Sequence, residues 1–287
     1  MKIDEHLLIA LDINDKSQRN TKEAIALAQK LEADVTIVHA VEYIPYYPYL
    51  PYDEKKVEAA FKHDVEEKLA VIKKEFDEAG VNLKDCIVEK GKAYKVICDA
   101  ADRVKATRIV IGVGPHYMME SIIGSTADKV IRQAHQAVFL LNPYKSFSGF
   151  DKIICGYDFT ESSEKALQCA HRISKVINAS LTVIHVIPDS LSMINSDSSK
   201  LDEAARQKVL EKLSELGIDE SSLKLEIVHG KPVAEICSYI EKNEIELLIV
   251  GTRSQNTFSR LFIGSTTEKI MRVSPCNIMT TKKDVVS

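Results

Sequence analysis

Short unbroken apolar runs alternate along this chain with longer stretches whose apolar residues recur at helical spacing. The run HLLIAL (6–11) ends in Asp12, and a polar turn leads into a helical pattern from about Ser17 to Leu31. VTIVHAV (35–41) is rich in β-branched residues and reads as a second buried strand. The prolines of YIPYYPYLPY (43–52) forbid regular helix or central strand there. A long charged helix follows and stops at Gly80. Then come a short strand over 86–88, a helix from about Tyr94 to Val104 and the strand TRIVIG (107–112). A loop leads to Gly124-Ser125-Thr126, a helix to about Ala134, and a last strand, AVFLL (137–141). Strands that are apolar throughout, alternating with helices, predict a parallel sheet covered on both faces.

After NPYKSFSGF (142–150), which reads as a linker, the pattern restarts. DKIICGYD repeats the first strand and LTVIHV the second, with Asp12 and His39 recurring as Asp158 and His185 at an offset of 146. Gly91 and Gly112 recur as Gly230 and Gly251 at an offset of 139, and Gly124 recurs as Gly264 at 140. The closest local match sets GSTADKVIR against GSTTEKIMR. This is a tandem duplication, with domains expected at 1–142 and 152–287 around a linker at 143–151. The differences fall in the Tyr/Pro region and in the glycine loop.

Composition narrows the function classes. A net charge of -4 and a pI near 6.1 argue against a broad nucleic-acid or anionic-membrane surface. The N-terminal stretch does not read as a secretory signal or transit peptide, and no apolar run approaches a membrane span, so a cytoplasmic location is expected. The six cysteines form no CxxC, and the eight histidines no HExxH, so no metal site is expected and the cysteines read as small buried apolar residues. P-loop, SGGxDS and GxSxG patterns are all absent, which argues against a dedicated catalyst. His39 and His185, at the ends of buried strands, read as satisfied core histidines.

The stretch IVGTRSQNTFSRLFIGSTTEKIMR (249–272) predicts a strand ending at Gly251, a loop, and a helix starting near Ser265. The free N–H groups and positive dipole end of such a helix suit an anion. The alternative is an ordinary capping box formed by Ser265 and Glu268. In an open parallel sheet, ligands bind beyond the C-terminal strand ends where strand order reverses, so Asp12 or Asp158 and Gly112 or Gly251 would flank that crevice if the order is 3-2-1-4-5. Each Asp is equally well read as a helix cap or turn residue.

Both halves resemble the universal stress protein family, whose nucleotide-binding branch carries G-x2-G-x9-G-[ST] after the fourth strand. The second half matches at Gly251, Gly264 and Ser265 with Ser254 in place of the second glycine, and GYDFTESSEKAL (156–167) resembles the same branch. The first half has a loop one residue shorter, with Gly112 and Gly114 before Gly124 and Ser125. The resemblance implies two tandem doubly wound five-stranded parallel sheets of Rossmann-like, HUP type, and ATP or another adenine nucleotide as ligand, with an accompanying Mg ion. It implies that Asp158 lies near the ribose and base, that the Val186 backbone reads the adenine, and that Gly251, Thr252, Arg253, Ser254, Gly264, Ser265 and Thr266 hold the phosphates. Asp12, Ala40, Gly112, Gly114, Gly124 and Ser125 are the weaker first-half counterparts.

Charge separates the halves. The second loop carries Arg253 and Arg260 and no acid, whereas the first carries Glu120 and no Lys or Arg, so the second half is the better phosphate site. A regulatory, stress-related nucleotide binder is the function expected from the resemblance, with pairing of two chains as a homodimer. The competing class is an interaction module that has lost nucleotide binding and dimerises through AVFLL and NIMTT; a specific ATPase or phosphotransferase has least support. The five tyrosines Tyr43, Tyr46, Tyr47, Tyr49 and Tyr52 suggest a lid, a partner surface or internal packing.

Overall fold

The computed structural model describes residues 5–13, 19–42, 54–112, 124–142, 150–189, 198–252 and 263–281. The chain divides into two compact units, residues 1–112 and 113–287. The first holds β1 (His6–Ala10), α1 (Arg19–Leu31), β2 (Asp34–Val41), α2 (Glu54–Glu78), β3 (Leu83–Lys90), α3 (Ala93–Arg103) and β4 (Arg108–Gly112). The second holds α4 (Ser125–Gln133), β5 (Ala137–Leu141), β6 (Lys152–Gly156), α5 (Glu161–Ile177), β7 (Ser180–Ile187), α6 (Ser198–Glu215), β8 (Lys224–His229), α7 (Pro232–Asn243), β9 (Leu247–Gly251), α8 (Ser265–Val273) and β10 (Asn277–Thr281).

In the first unit the strands run β3-β2-β1-β4, each pair parallel. β1, β2 and β4 are buried along most of their length, as their unbroken apolar runs require. β3 is longer than its apolar core suggests. Lys84, Asp85, Glu89 and Lys90 disguise an edge strand that pairs with β2 along its length and shifts register between Val35 and Thr36. α2 is charged along its exposed side, with Lys62–Glu66, Lys68–Asp64 and Lys74–Glu78 one turn apart. It ends before Gly80, whose φ of 70° suits glycine.

The second unit runs β5-β10-β9-β6-β7-β8, which contains the expected 3-2-1-4-5 order as β8-β7-β6-β9-β10. Its strand pairs are parallel except β5 with β10, which is antiparallel. The register there places Met279 opposite Phe139, with Ile278 opposite Leu140 and Thr280 opposite Val138. Positions 139 and 279 are equivalent under the 140 offset, so a local two-fold axis passes between them. Arg132 and Arg272 echo this symmetry: Arg132 pairs with Asp128 (2.9 Å) and Glu268 (3.6 Å), and Arg272 with Glu268 (2.8 Å).

AVFLL and NIMTT therefore pair with each other, and β10 has both edges filled by β5 and β9. This corrects the expectation that NIMTT offers a dimerisation edge. At the two ends of the 142–150 stretch, Asn142 and Phe150 make defined contacts, while 143–149 lie outside the described residues. The Asn142 N–H donates to Asn277 Oδ1 (2.8 Å), and Phe150 is fully buried with its ring 5.3 Å from that of Phe139.

Candidate functional site

The second unit carries a cleft of about 170 Å³ at the C-terminal ends of β6, β7 and β9. Its walls are Gly156, Asp158 and Thr160 after β6, Val186 on β7, Pro232 and Ile236 of α7, Gly251 of β9, and Gly264 to Thr267 at the start of α8. Asp158, Val186, Gly251, Gly264, Ser265 and Thr266, all expected from sequence, thus lie around one space.

The first wall is a tightly bonded turn. The Tyr157 N–H donates to the Ile184 carbonyl (2.9 Å), and the Tyr157 carbonyl accepts from His185 Nδ1 (2.8 Å). Asp158 Oδ1 accepts from the Thr160 N–H (3.1 Å) and hydroxyl (2.6 Å). Among the described residues Oδ2 has no hydrogen-bond partner, and the Asp158 carboxylate faces an open space. Thr160 also caps α5 by accepting from the Ser163 N–H (3.1 Å), while Ser163 Oγ accepts from the Asp158 and Thr160 N–H groups. Phe159 takes a left-handed φ of 61°, unusual for a bulky side chain, with its ring edge-on to Tyr157 and His185. Tyr157 is buried and its hydroxyl has no hydrogen-bond partner among the described residues; burial first, then Glu164 and Asp158, push its ionisation up.

The opposite wall is the start of α8. The N-cap is Gly264, with no side-chain capping bond, which corrects the expected Ser265–Glu268 capping box. Ser265 lies already inside the helix, and Glu268 turns to Arg272 and Arg132 instead. Among the described residues, no acceptor meets the N–H groups of Ser265 and Thr266. The helix therefore presents uncapped donors and its positive end to the cleft. Among the described residues lining the cleft, Asp158 is the single charged one.

Gly251 is required by close approach. A methyl added there would lie 2.5 Å from the backbone carbonyl of Ser162, so α5 packs against the end of β9 only because no side chain intervenes. Thr252 does not line the cleft; it is buried and donates from Oγ1 to the Thr281 carbonyl (3.0 Å). Arg253, Ser254 and Arg260 lie outside the described residues, as do Gly114, Glu120 and the Tyr43 to Tyr52 tyrosines.

In the first unit, Asp12 is exposed beyond β1, Ala40 is half-buried on β2, and Gly112 closes β4 against the side chain of Asn20. Gly124 caps α4 and Ser125 begins it, both in the second unit. His39 repeats the bond of His185 by donating to the Leu11 carbonyl (3.0 Å). The start of α3 differs from that of α7: the Ala93 N–H donates to the Glu42 carboxylate (2.6 Å), whereas the equivalent residue in the second half is Pro232. The cleft residues missed from sequence include Thr160, Ser163, Pro232, Ile236 and Thr267. Thr267 was visible as the mismatch with Ala127 inside the best-matched repeat.

Among the described residues no cluster suits a metal ion, and no helix is long and apolar enough to cross a membrane. Cys98 and Cys237 occupy equivalent half-buried places on α3 and α7 rather than the core, while Cys155, Cys169 and Cys276 are buried.

The model of the Universal stress protein family matches residues 5–142 and again 149–282. Universal stress protein Rv2319c of Mycobacterium tuberculosis is 26% identical over 64% of this chain and 66% of its own length, just under two thirds. Universal stress protein Slr1230 of Synechocystis is 25% identical over 74% of this chain and 70% of its own. A universal stress protein from Archaeoglobus fulgidus shares the fold with a TM-score of 0.75 at 19% identity, covering 97% of this chain and 98% of that one.

Proposed function

Because the chain belongs to the universal stress protein family, with two tandem matches, we propose that its second half binds an adenine nucleotide and that the protein acts as a regulatory stress-response protein, not a dedicated enzyme. The observation that carries this reading is the uncapped start of α8 across the cleft from Asp158. Phosphates take the Ser265 and Thr266 N–H groups and the positive end of the helix dipole. A ribose hydroxyl donates to Asp158 Oδ2, and the base lies by Val186 and Ile236. Arg253 and Ser254 extend the phosphate site, and Mg accompanies the nucleotide through its phosphates.

The first half is the weaker site. Glu42 already satisfies the start of α3 and places a carboxylate near the strand ends, which disfavours a polyanion. A cytoplasmic homodimer completes the reading, with its contact away from the filled edges of β10.

Calorimetric titration of nucleotide-free protein with ATP tests the proposal. Binding is expected in the wild type and in Gly124→Glu, and its loss in Gly264→Glu. No heat and no thermal shift at millimolar ATP would leave the chain as an interaction module without nucleotide. Loss only in Gly124→Glu would move the site to the first half.

A further inference from the structure

Three equivalent positions near the cleft carry hydroxyls in the second half and none in the first. Thr267 corresponds to Ala127, Thr281 to Leu141 and Thr252 to Val113. In the second unit Thr267 and Thr252 bond through their hydroxyls, whereas Thr281 contributes its backbone carbonyl and its own buried Oγ1 has no partner among the described residues. Thr267 Oγ1 donates to the Gly251 carbonyl (2.8 Å). The Thr252 N–H (3.2 Å) and Oγ1 (3.0 Å) both donate to the Thr281 carbonyl, and the Gly264 N–H donates to the Thr252 carbonyl (3.1 Å). Thr252 and Thr281 are buried, so their bonds are shielded from competing water. Together these contacts tie the ends of β9 and β10 to the first turn of α8.

We propose that Thr267, supported by Thr252, is a positioning residue for the phosphate end of the nucleotide. The inference rests on the nucleotide reading above and deepens it. Thr267 is two residues beyond Ser265, so its bond to Gly251 sets how far the first turn of α8 stands from the strand end. That distance fixes where the Ser265 and Thr266 N–H groups point. The hydroxyl itself donates to the chain and is not spent on the ligand. The consequence is selective: the clasp governs binding of phosphates and leaves the nucleoside contacts at Asp158 and Val186 alone. Ala127 deprives the first half of the same bond.

The test compares wild type, Thr267→Val, which keeps the shape and deletes the hydroxyl, and Thr267→Ser, which restores it. Each is titrated with ATP and with adenosine, and melted in parallel. Thr267→Val should weaken ATP by about five- to tenfold, the equivalent of one net hydrogen bond, with adenosine unchanged. Thr267→Ser should return ATP affinity to within about twofold of wild type. Thr267→Ala serves as a second variant, since the repeat already folds with alanine at this place, and should behave as the valine variant does. The positioning role is overturned, with the nucleotide reading intact, if Thr267→Val binds ATP as wild type does. It is also overturned if ATP and adenosine weaken equally with a fall in melting temperature, which marks a general structural role. A wild-type protein that takes neither ligand overturns the nucleotide reading and this assignment together.

Discussion

The Nδ1 of His185 donates to the carbonyl of Tyr157 at 2.8 Å, and the same bond recurs between His39 and Leu11 at 3.0 Å. A carbonyl only accepts, so Nδ1 carries the hydrogen in both. Each bond clamps the end of a first strand to a second strand, immediately before Asp158 or Asp12. Replacing His185 by Phe strands the Tyr157 carbonyl and should lower unfolding stability by about 1–3 kcal/mol in a urea titration. It should also loosen the Asp158 turn and weaken ATP. His39→Phe should cost similar stability and leave ATP binding unchanged. Equal losses of ATP affinity in the two variants would contradict placing the site in the second half.

Gly251 and Gly112 are equivalent in sequence but face different neighbours. Beside Gly251 stands the backbone of Ser162, which cannot turn aside; beside Gly112 stands the Asn20 side chain, which can rotate. Gly251→Ala should therefore push α5 from β9, cost about 1–3 kcal/mol and abolish ATP binding. Gly112→Ala should cost less. Thermal melts of both variants check the order, and a milder effect at Gly251 would refute it.

Most of the fold is legible in the sequence because both halves say the same thing. Strands that are apolar throughout imply a parallel sheet, and the paired offsets of Asp, His and Gly residues reveal the duplication by themselves. The edge strand β3 looks short in sequence because Lys84, Asp85, Glu89 and Lys90 hide its length, as edge strands do by carrying charge. The pairing of β5 with β10 leaves no local mark at all, since a short apolar strand reads the same whatever lies beside it. At the cleft, Asp158, Val186, Gly264 and Ser265, named from the family resemblance, line one space. The cap of α8 is different. A Ser with Glu three residues on fits a capping box, yet Gly264 takes that place, and only the packing of Glu268 with Arg132 and Arg272 decides it.

At the start of β2, Lys84 first and then Asn82 hold the Asp34 carboxyl below the usual carboxylate range, against some desolvation. The unfolded group titrates near 3.8, so the folded pKa lies lower. Its stabilisation is complete above about pH 4 and is lost as pH falls through the folded pKa. Asp34→Asn should therefore be less stable than wild type near neutrality, with the gap closing as pH falls from about 4 through the lowered folded pKa. Urea midpoints measured across this range test it; a gap that widens in acid would contradict the assignment.

The buried ion pair of Glu5 with Arg108 separates the two halves energetically. Both side chains are nearly inaccessible, and Glu5 Oε2 also accepts from the Thr107 hydroxyl (2.7 Å). At the equivalent places the second half has Asp151, exposed, and Leu247, buried, so the fold tolerates an apolar residue where Arg108 stands. Removing one charge leaves the other buried without its counter-ion, so Glu5→Ala should cost about 3–5 kcal/mol. Removing both avoids that penalty. The double variant Glu5→Leu with Arg108→Leu should therefore be more stable than Glu5→Ala alone, despite carrying more changes. Chemical denaturation of wild type, Glu5→Ala, Arg108→Leu and the double variant measures the coupling directly. A Glu5→Ala variant within about 1 kcal/mol of wild type would show the pair to be solvated and energetically idle.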